Sequence, residues 1–369
     1  MIKTFRFATF NAGLTRPQSG ALITDLSTPH HPQAKNVAEI IQRVNPDVLV
    51  LQELDYDGTK TALQLFQDHY LSVSQNGAVS TYFPYRYAIP TNTGIPSRMD
   101  LDKDGRTDSP GDALGFGFHP GQYAFAVLAK YPLRWKQIRT FQRFLWKDMP
   151  QAKLPINPPT GESWYSAEQL NILRLSSKNH VDVPIALPGG TVHLLVAHPA
   201  PPVFDGQEQR HKLRNFDEIR LWADYISPDQ NNYLYDDKGQ FGGLSDPDFV
   251  IMGDLNADPQ DGESINQAIN QLLHHPRIQT QPIPSSLGGK EQAQLNPAGY
   301  QNHRGDPAYH TASWGLRVDY VLPASCLKVH ASGIFWPTTS APLHYLVAKR
   351  GEVEASSDHR LVWVDLALS

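Results

Sequence analysis

Short apolar runs that end in polar residues recur along this chain. Residues 3–11 alternate between two faces, whereas residues 48–51 and 249–252 form continuous apolar runs. Alternation at every second residue predicts a strand with one buried face, and a short continuous run is typical of a strand buried on both faces. By the same criteria we predict further strands at 121–130, at two or three places within 171–200, at 317–322 and at 361–366.

Three longer segments carry apolar residues at helical spacing instead. Residues 33–44, 207–226 and 261–275 each place their apolar side chains on one face of a helix. The first of these helices is expected to end at Asn45-Pro46, because a residue that precedes proline disfavours helical geometry.

The stretches between these segments are rich in loops and polar residues. They cover about 75–120, 227–247 and 276–312, and the last is expected to be irregular. No internal repeat, low-complexity tract or linker divides the chain, so we predict a single domain over residues 1–369 with these three stretches as loop insertions.

The run that begins at residue 249 ends in Gly253-Asp254-Leu255-Asn256 and combines a buried strand with polar chemistry. Asp254 and Asn256 are two residues apart, so an extended chain places them on the same side. A carboxylate and an amide are costly to bury unless they bind something, and a hard cation or a phosphate with its attacking water would suit them. The alternative is a strand followed by an Asx turn.

Five other predicted strands also deliver ligand-type side chains at an end or in a nearby loop. The polar residues at all six places are Asn11, Glu53, His198, Asp254 with Asn256, Asp319, and Asp358 with His359. Each is a weak signal alone, but together they predict one polar site built from strand ends.

Six pieces of this sequence together resemble the endonuclease/exonuclease/phosphatase superfamily, which includes DNase I-like nucleases, apurinic endonucleases, sphingomyelinases and inositol-polyphosphate phosphatases. The pieces are TFNAG, LQELD, AHPAP, GDLNADP, RVDYVL and SDHRLV, and they span residues 9–362. The pair GDLNADP and SDHRLV is the specific part. The resemblance implies an α/β fold, a four-layered α/β sandwich with two packed mixed β-sheets and outer helices.

The resemblance also implies roles for the catalytic residues. Asp254 would orient or deprotonate the attacking water, and Asn256 would hold a phosphate oxygen. His359 would contact the scissile phosphate, with Asp319 fixing its tautomer, although Asp319 could instead pair with Arg317. His198 lies where several members place a general acid or a phosphate-binding histidine.

A metal site is implied at the same place. Glu53 would be the main metal ligand with Asn11 beside it, and Asp358 would be a further carboxylate on the metal side. Because oxygen ligands without thiolate favour hard cations, we expect Mg²⁺, with Mn²⁺ as a substitute.

Composition narrows the class of protein. The 369 residues include one cysteine, which excludes an internal disulfide and a cysteine-based zinc site. The formal net charge of -5 gives no global basic field for nucleic acid. No apolar run has the length of a membrane span, and the first seven residues do not form a signal peptide. The compartment stays open: the chain is cytoplasmic, or it is secreted or periplasmic after removal of a leader.

An acidic loop lies outside the family motifs. Residues 100–108 match the first nine positions of a calcium-binding loop, D-x-D-x-D-G-x-x-D, but Gly111 replaces the closing glutamate. We predict a structural Ca²⁺ site there, with a solvated acidic turn as the alternative. Its predicted residues are Asp100, Asp102, Asp104, Arg106 and Asp108.

Taken together, the sequence predicts a Mg²⁺-dependent hydrolase that cleaves a phosphodiester or phosphomonoester P–O bond by in-line attack of an activated water. The substrate could be a small molecule, a lipid head group or a nucleic acid, and no obligate protein partner is evident. The alternatives are a nuclease acting on DNA or RNA, and a non-catalytic binding protein on the same fold.

Overall fold

The alternating segment near the N-terminus forms a central strand in the larger of two β-sheets. The structure is a computed structural model that describes residues 3–350 and 353–368. Its strands are β1 (Phe5–Leu14), β2 (Val48–Leu54), β3 (Tyr85–Ile89), β4 (Phe125–Ala129), β5 (Arg139–Thr140), β6 (His180–Leu187), β7 (Gly190–Ala197), β8 (Phe249–Asp254), β9 (Asp319–Pro323), β10 (Lys328–Ile334), β11 (Lys349–Arg350), β12 (Val353–Glu354) and β13 (Val362–Ala367).

Helices connect and cover these strands. They are α1 (Ala21–Leu26), α2 (Pro32–Val44), α3 (Thr61–Phe66), α4 (Ala167–Leu170), α5 (Arg210–Tyr225), α6 (Asn270–Leu273), α7 (Leu287–Leu295) and α8 (Pro297–Tyr300). None of the helices in the described ranges combines the length and apolar character that a bilayer span requires.

Both sheets are mixed, because each contains one parallel pair of strands. The larger sheet has the order β10-β13-β1-β2-β4-β3, with β1 and β2 parallel and the other neighbours antiparallel. The smaller has the order β5-β6-β7-β8-β9, with β7 and β8 parallel. The short strands β11 and β12 form a separate antiparallel pair.

The two faces of β1 serve two hydrophobic cores. Phe5 and Phe7 belong to the core shared with β6 to β9 and α5, whereas Ala8 and Phe10 belong to the core under α1, α2 and α3. Strand β1 also packs directly on β8 and β9 of the second sheet. The layers are therefore helices, sheet, sheet and helix, which confirms the predicted four-layered α/β sandwich.

Two local predictions differ from the structure. Residues 261–275 form a 3₁₀ turn at Ile265–Gln267 followed by the short α6, and not one helix. The apolar residues Ala268, Ile269 and Leu272 are buried as expected, but the asparagines among them are poor helix formers. The stretch 276–312 is not irregular throughout, since it contains α7 and α8. The stretch 75–120 is mostly loop, as expected, and also contains the short edge strand β3.

Gly253 permits the closest backbone approach inside the smaller sheet. A Cβ atom at this position would lie 2.0 Å from the carbonyl oxygen of Ala197 on β7. Any side chain would push β8 away from β7 immediately before Asp254, so glycine is required here by space and not only by flexibility.

We therefore expect Gly253→Ala to destabilise the protein by about 1–3 kcal/mol or more, as overpacking does in well-filled cores. Gly190→Ala is the matched control, because a Cβ there meets only Leu368 at an ordinary 3.7 Å. Urea unfolding of the two variants measures the difference, and equal stabilities would contradict the close approach.

Candidate active site

The two sheets meet at Asn11, whose side chain links carboxylates from both. Asn11 lies on β1 beside Gln52 of the parallel strand β2, which brings it next to Glu53. Its amide nitrogen donates to Glu53 Oε1 at 3.2 Å and to Asp254 Oδ2 at 3.0 Å. Residues 243 positions apart therefore share one polar centre.

Asp254 and Asp319 face each other across the antiparallel pair β8 and β9. Two like charges directly opposite in a sheet repel each other unless a cation separates them. His359 supplies that cation, with Nδ1 2.9 Å from Asp319 Oδ2 and Nε2 3.7 Å from Asp254 Oδ2. The imidazole thus bridges the two carboxylates.

The loop before β13 holds His359 in this position. Ser357 Oγ donates to the carbonyl oxygen of Asn11 at 2.6 Å and accepts the backbone N–H of His359 at 3.0 Å. On the other side His359 forms a β-bridge with Ala312, and the Trp314 ring packs edge-on against the imidazole with centroids 5.0 Å apart. The ring orientation is therefore set from both sides.

Asp319 is oriented by Thr311. The Thr311 hydroxyl donates to Asp319 Oδ2 at 2.7 Å and accepts the backbone N–H groups of Val318 and Asp319. The alternative pairing with Arg317 is not formed, because that guanidinium lies over the Tyr320 ring, 4.8 Å from its centroid.

Burial and mutual charge determine the protonation of this cluster. Burial opposes a charged imidazole, but the carboxylates of Asp319 and Asp254 outweigh it and raise the pKa of His359 to about 10. Burial likewise opposes ionisation of Asp254, yet His359 and His198 hold its pKa below the ordinary value. Burial raises the pKa of Asp319 and of Glu53 despite the neighbouring imidazolium. The imidazolium of His359 is thus the charge that keeps Asp254 ionised.

His198 approaches the same oxygen of Asp254 as His359 does. Its Nε2 is 3.3 Å from Asp254 Oδ2, and its buried Nδ1 has no hydrogen-bond partner among the described residues. Burial and the nearby Lys178 ammonium lower the pKa of His198 to about 4. At neutral pH the ring is therefore neutral and donates from Nε2 to Asp254.

Asn256 forms the Asx-type turn that was the alternative interpretation of the GDLN stretch, and its role in binding stays a prediction. Its backbone N–H donates to Asp254 Oδ1 at 3.0 Å, which is the Asx-type contact, and its φ is 52°. That bond occupies Oδ1 and leaves Oδ2 to face the histidines. The Asn256 side chain donates to the carbonyl oxygen of Pro199 at 3.1 Å.

Two of the oxygen groups predicted to bind the metal, the Asp358 carboxylate and the amide oxygen of Asn11, do not face Glu53 or Asp254. Asp358 is exposed, and its carboxylate accepts one described hydrogen bond, from the Ser357 hydroxyl at 3.5 Å. The amide oxygen of Asn11 accepts the N–H of Gly13 at 3.2 Å and does not face Glu53. Both residues stay predictions as metal ligands.

The acidic loop brings together a different set of carboxylates from the predicted one. Oxygen atoms of Asp100, Asp102 and Asp112 lie within 4.8 Å of one another. Asp104 instead accepts the Arg106 N–H at 2.8 Å, and Asp108 pairs with the Arg106 side chain at 3.0 Å. Of the predicted calcium ligands, Asp100 and Asp102 come together, and the third carboxylate beside them is Asp112, which follows the nine-residue pattern.

Lys178, Thr311 and Trp314 belong to the site but were not predicted. Lys178 follows two serines just before β6 and is buried, with Glu218, Glu53 and Asp254 as its charged neighbours. A single lysine in a polar run carries no spacing signal. Thr311 and Trp314 lie in a loop whose contact with His359 depends on the tertiary fold.

A cleft of about 900 Å³ opens beside the cluster. Its wall includes Gly13, Trp314, Ser357 and Asp358, which are close in sequence to the site residues, and the side chain of Trp314 is 45 % exposed. Trp314 and Ser357 contact both the cleft and His359, but Glu53, Asp254, Asp319 and His359 do not line it. A cleft of this size can hold a small ligand.

The chain belongs to the endonuclease/exonuclease/phosphatase family, whose model matches residues 8–359. Members of this family hydrolyse phosphoester bonds. No curated protein matches this chain.

One solved structure shares the fold, and two others are reported as more distant matches. An endonuclease/exonuclease/phosphatase protein from Beutenbergia cavernae is 16% identical with a TM-score of 0.52, and the match covers 100% of this chain and 72% of that one. Sphingomyelinase C from Streptomyces griseocarneus is 16% identical with a TM-score of 0.46, over 98% and 99% of the two chains. A Staphylococcus aureus beta toxin with bound magnesium ions is 12% identical with a TM-score of 0.45, over 100% of both.

The raised pKa of His359 predicts how the metal-free protein responds to pH. The folded state holds this proton up to about pH 10, whereas the unfolded chain releases it near 6.5. The stabilisation is complete below pH 6.5 and is lost as the pH rises through about 10. Urea unfolding at several pH values in EDTA should show wild type losing stability relative to His359→Gln over this range.

The exposed His330 on β10 provides the control, and His330→Gln should follow the wild-type profile. A constant stability difference between wild type and His359→Gln from pH 6 to pH 10.5 would contradict the bridging imidazolium.

Proposed function

We propose that this protein is a Mg²⁺-dependent phosphoesterase that hydrolyses a phosphodiester or phosphomonoester by in-line attack of water. The observation that carries the proposal is the position of His359, held between Asp254 and Asp319 within one centre that also contains Asn11 and Glu53. This arrangement offers a proton acceptor, a cationic side chain and a carboxylate suited to a metal ion.

The residues present suit a hard divalent cation. Glu53, Asp254 and Asp319 supply carboxylates, and a buried oxygen of Asp319 has no hydrogen-bond partner among the described residues. Glu53 is half-buried, and its one described hydrogen bond comes from Asn11. We assign Glu53 as the principal ligand, with Asn11 able to contribute its oxygen if the amide turns over. When bound, Mg²⁺ would neutralise phosphate oxygens and make the phosphorus more open to attack.

Residues of the chain orient the water and bind the phosphate oxygens. Asp254, kept ionised by its two histidine neighbours, orients the attacking water and takes its proton as the new P–O bond forms, when the water becomes strongly acidic. The bond to the leaving oxygen breaks on the opposite side of phosphorus, and that oxygen takes a proton from solvent. Protonated His359 neutralises charge on a phosphate oxygen, and Asp319 keeps its ring oriented. The amide of Asn256 retains one N–H for a second phosphate oxygen, because only one is used on Pro199.

His198 has a role that follows from its hydrogen bond. Its Nε2 faces Asp254, and its low pKa keeps it neutral at physiological pH. A neutral imidazole that donates to Asp254 is a poor proton donor for a leaving group. We therefore assign His198 to holding Asp254 in place.

The size of the substrate is set by the surroundings of the cluster. The net charge of -5 offers no extended positive field for a nucleic acid backbone. The cleft beside Trp314 is sufficient for a small or lipid-borne phosphate ester. Hydrolysis of bis-p-nitrophenyl phosphate, p-nitrophenyl phosphate and plasmid DNA, with and without Mg²⁺, separates diesterase, monoesterase and nuclease.

Replacement of Asp254 or His359 by alanine should lower turnover about 10³-fold or more, because each removes a group that acts in the transition state. The measurement is kcat on the best substrate of that screen. His330→Ala, on the exposed face of β10, should retain wild-type activity. Full activity in both site variants would refute the proposed chemistry.

Metal removal provides an independent check. Activity should disappear in EDTA and return with Mg²⁺ or Mn²⁺, and Glu53→Gln should need a much higher Mg²⁺ concentration for half-maximal activity, by tenfold or more on the order expected for a lost charged ligand. Activity that persists in a chelator would exclude the metal role.

A further inference from the structure

Lys178 is a buried cation whose hydrogen-bonding capacity is mostly unused. The residue is 6 % exposed, and its ammonium makes one described hydrogen bond, to the carbonyl oxygen of Pro199 at 3.3 Å. An ammonium has three donors, and burying it with one long bond is unfavourable unless another group completes its environment.

No carboxylate in the described part of the chain neutralises this charge by direct contact. The carboxylates of Glu218, Glu53 and Asp254 act on Lys178 from a distance, and it forms no salt bridge within 4.0 Å among the described residues. Glu218 is occupied elsewhere, since its oxygens accept the N–H groups of Ser177 and Ala200 at 2.6 and 2.7 Å. Glu218 therefore fixes the backbone on either side of the ammonium and does not bind it.

The Lys178 ammonium lies beside the Asn256 amide, which is proposed to hold a phosphate oxygen. The carbonyl oxygen of Pro199 accepts from both Lys178 and the side chain of Asn256, so these two nitrogens are neighbours. Pro199 follows His198, which is 2 % exposed and has an unpartnered Nδ1. An ammonium and an amide with unused donors thus meet next to Asp254, whereas the free Nδ1 of neutral His198 is an acceptor and would not bind a phosphate oxygen.

We propose that Lys178 binds a non-bridging oxygen of the phosphate group of the substrate, together with Asn256. The inference rests on the proposed phosphoesterase function. It adds a second cationic side chain to the site, next to Asn256, and His359 is the first. The ligand is a phosphate group, whether free, on a small molecule or on a lipid head group.

Lys178→Gln separates charge from structure. Glutamine can still donate to the carbonyl oxygen of Pro199 but carries no charge, and Lys178→Arg keeps the charge. Lys130→Gln is the matched control, because Lys130 is partly exposed and contacts Asn45 and Asp47 at the opposite edge of the larger sheet. Thermal unfolding of each variant establishes that it is folded.

The first measurement is binding of inorganic phosphate in the presence of Mg²⁺ by isothermal titration calorimetry, which does not depend on turnover. We expect Lys178→Gln to weaken phosphate binding about ten- to a hundredfold, as loss of a charge-assisted hydrogen bond does. Lys178→Arg should restore part of the affinity, and Lys130→Gln should match wild type. Equal affinity in wild type and Lys178→Gln, or no phosphate binding by wild type, would overturn the inference.

Kinetics distinguish this inference from the proposed function. If wild type hydrolyses p-nitrophenyl phosphate or bis-p-nitrophenyl phosphate and Lys178→Gln loses kcat/KM by the same factor as phosphate affinity, both proposals are supported. If wild type is active and Lys178→Gln is equally active, only the assignment of Lys178 fails. If wild type binds phosphate through Lys178 but hydrolyses neither ester, the phosphoesterase proposal fails while the anion site stands.

Should Lys178→Gln not fold, Lys178→Arg must at least alter KM, and an unchanged KM would contradict direct contact.

Discussion

The contact on which the site depends is the imidazolium of His359 between two opposed carboxylates. Asp254 and Asp319 are cross-strand partners in the smaller sheet, and their charges would repel without a cation between them. His359 approaches both, and its pKa is raised because they surround it. Since His359 comes from the loop before β13 of the larger sheet, this one contact also joins the two halves of the sandwich at their polar edge.

The parallel pairs of strands explain why the polar residues converge. Strands β1 and β2 run in parallel, as do β7 and β8, so each pair delivers its C-terminal residues to the same edge. Asn11 and Glu53 come from the first pair, and His198 and Asp254 come from the second. Packing of β1 on β8 then brings the two edges together, and Gly253 allows β8 to lie close enough to β7.

The sequence predicted the strands and the convergence better than it predicted the connections. A continuous apolar run such as 249–252 indicates a strand that is buried on both faces. Strand β8 could therefore be predicted without knowing which strands pair with it. The prediction of one helix over 261–275 was wrong. The apolar spacing was correct, but the residues between the apolar positions favour short turns. Helix α7 was missed because Gly288 and Gly289 obscure the pattern, although Gly288 packs against the backbone of Trp336.

Within the site, the acids and histidines could be predicted because polar residues at strand ends contrast with the apolar runs before them. Lys178 could not be predicted, since its burial arises from Glu218 and from the loop after β7, which are distant in sequence. The acidic loop shows the same limit: its spacing indicated a local site, but the third carboxylate near Asp100 and Asp102 comes from Asp112.

A crystal structure grown with Mn²⁺ and inorganic phosphate tests the central claim most directly, because anomalous scattering locates the metal without reference to activity. We predict a manganese peak at Glu53 and a phosphate within hydrogen-bonding distance of His359. A manganese peak confined to the Asp100, Asp102 and Asp112 loop, with nothing bound at Glu53, would contradict it.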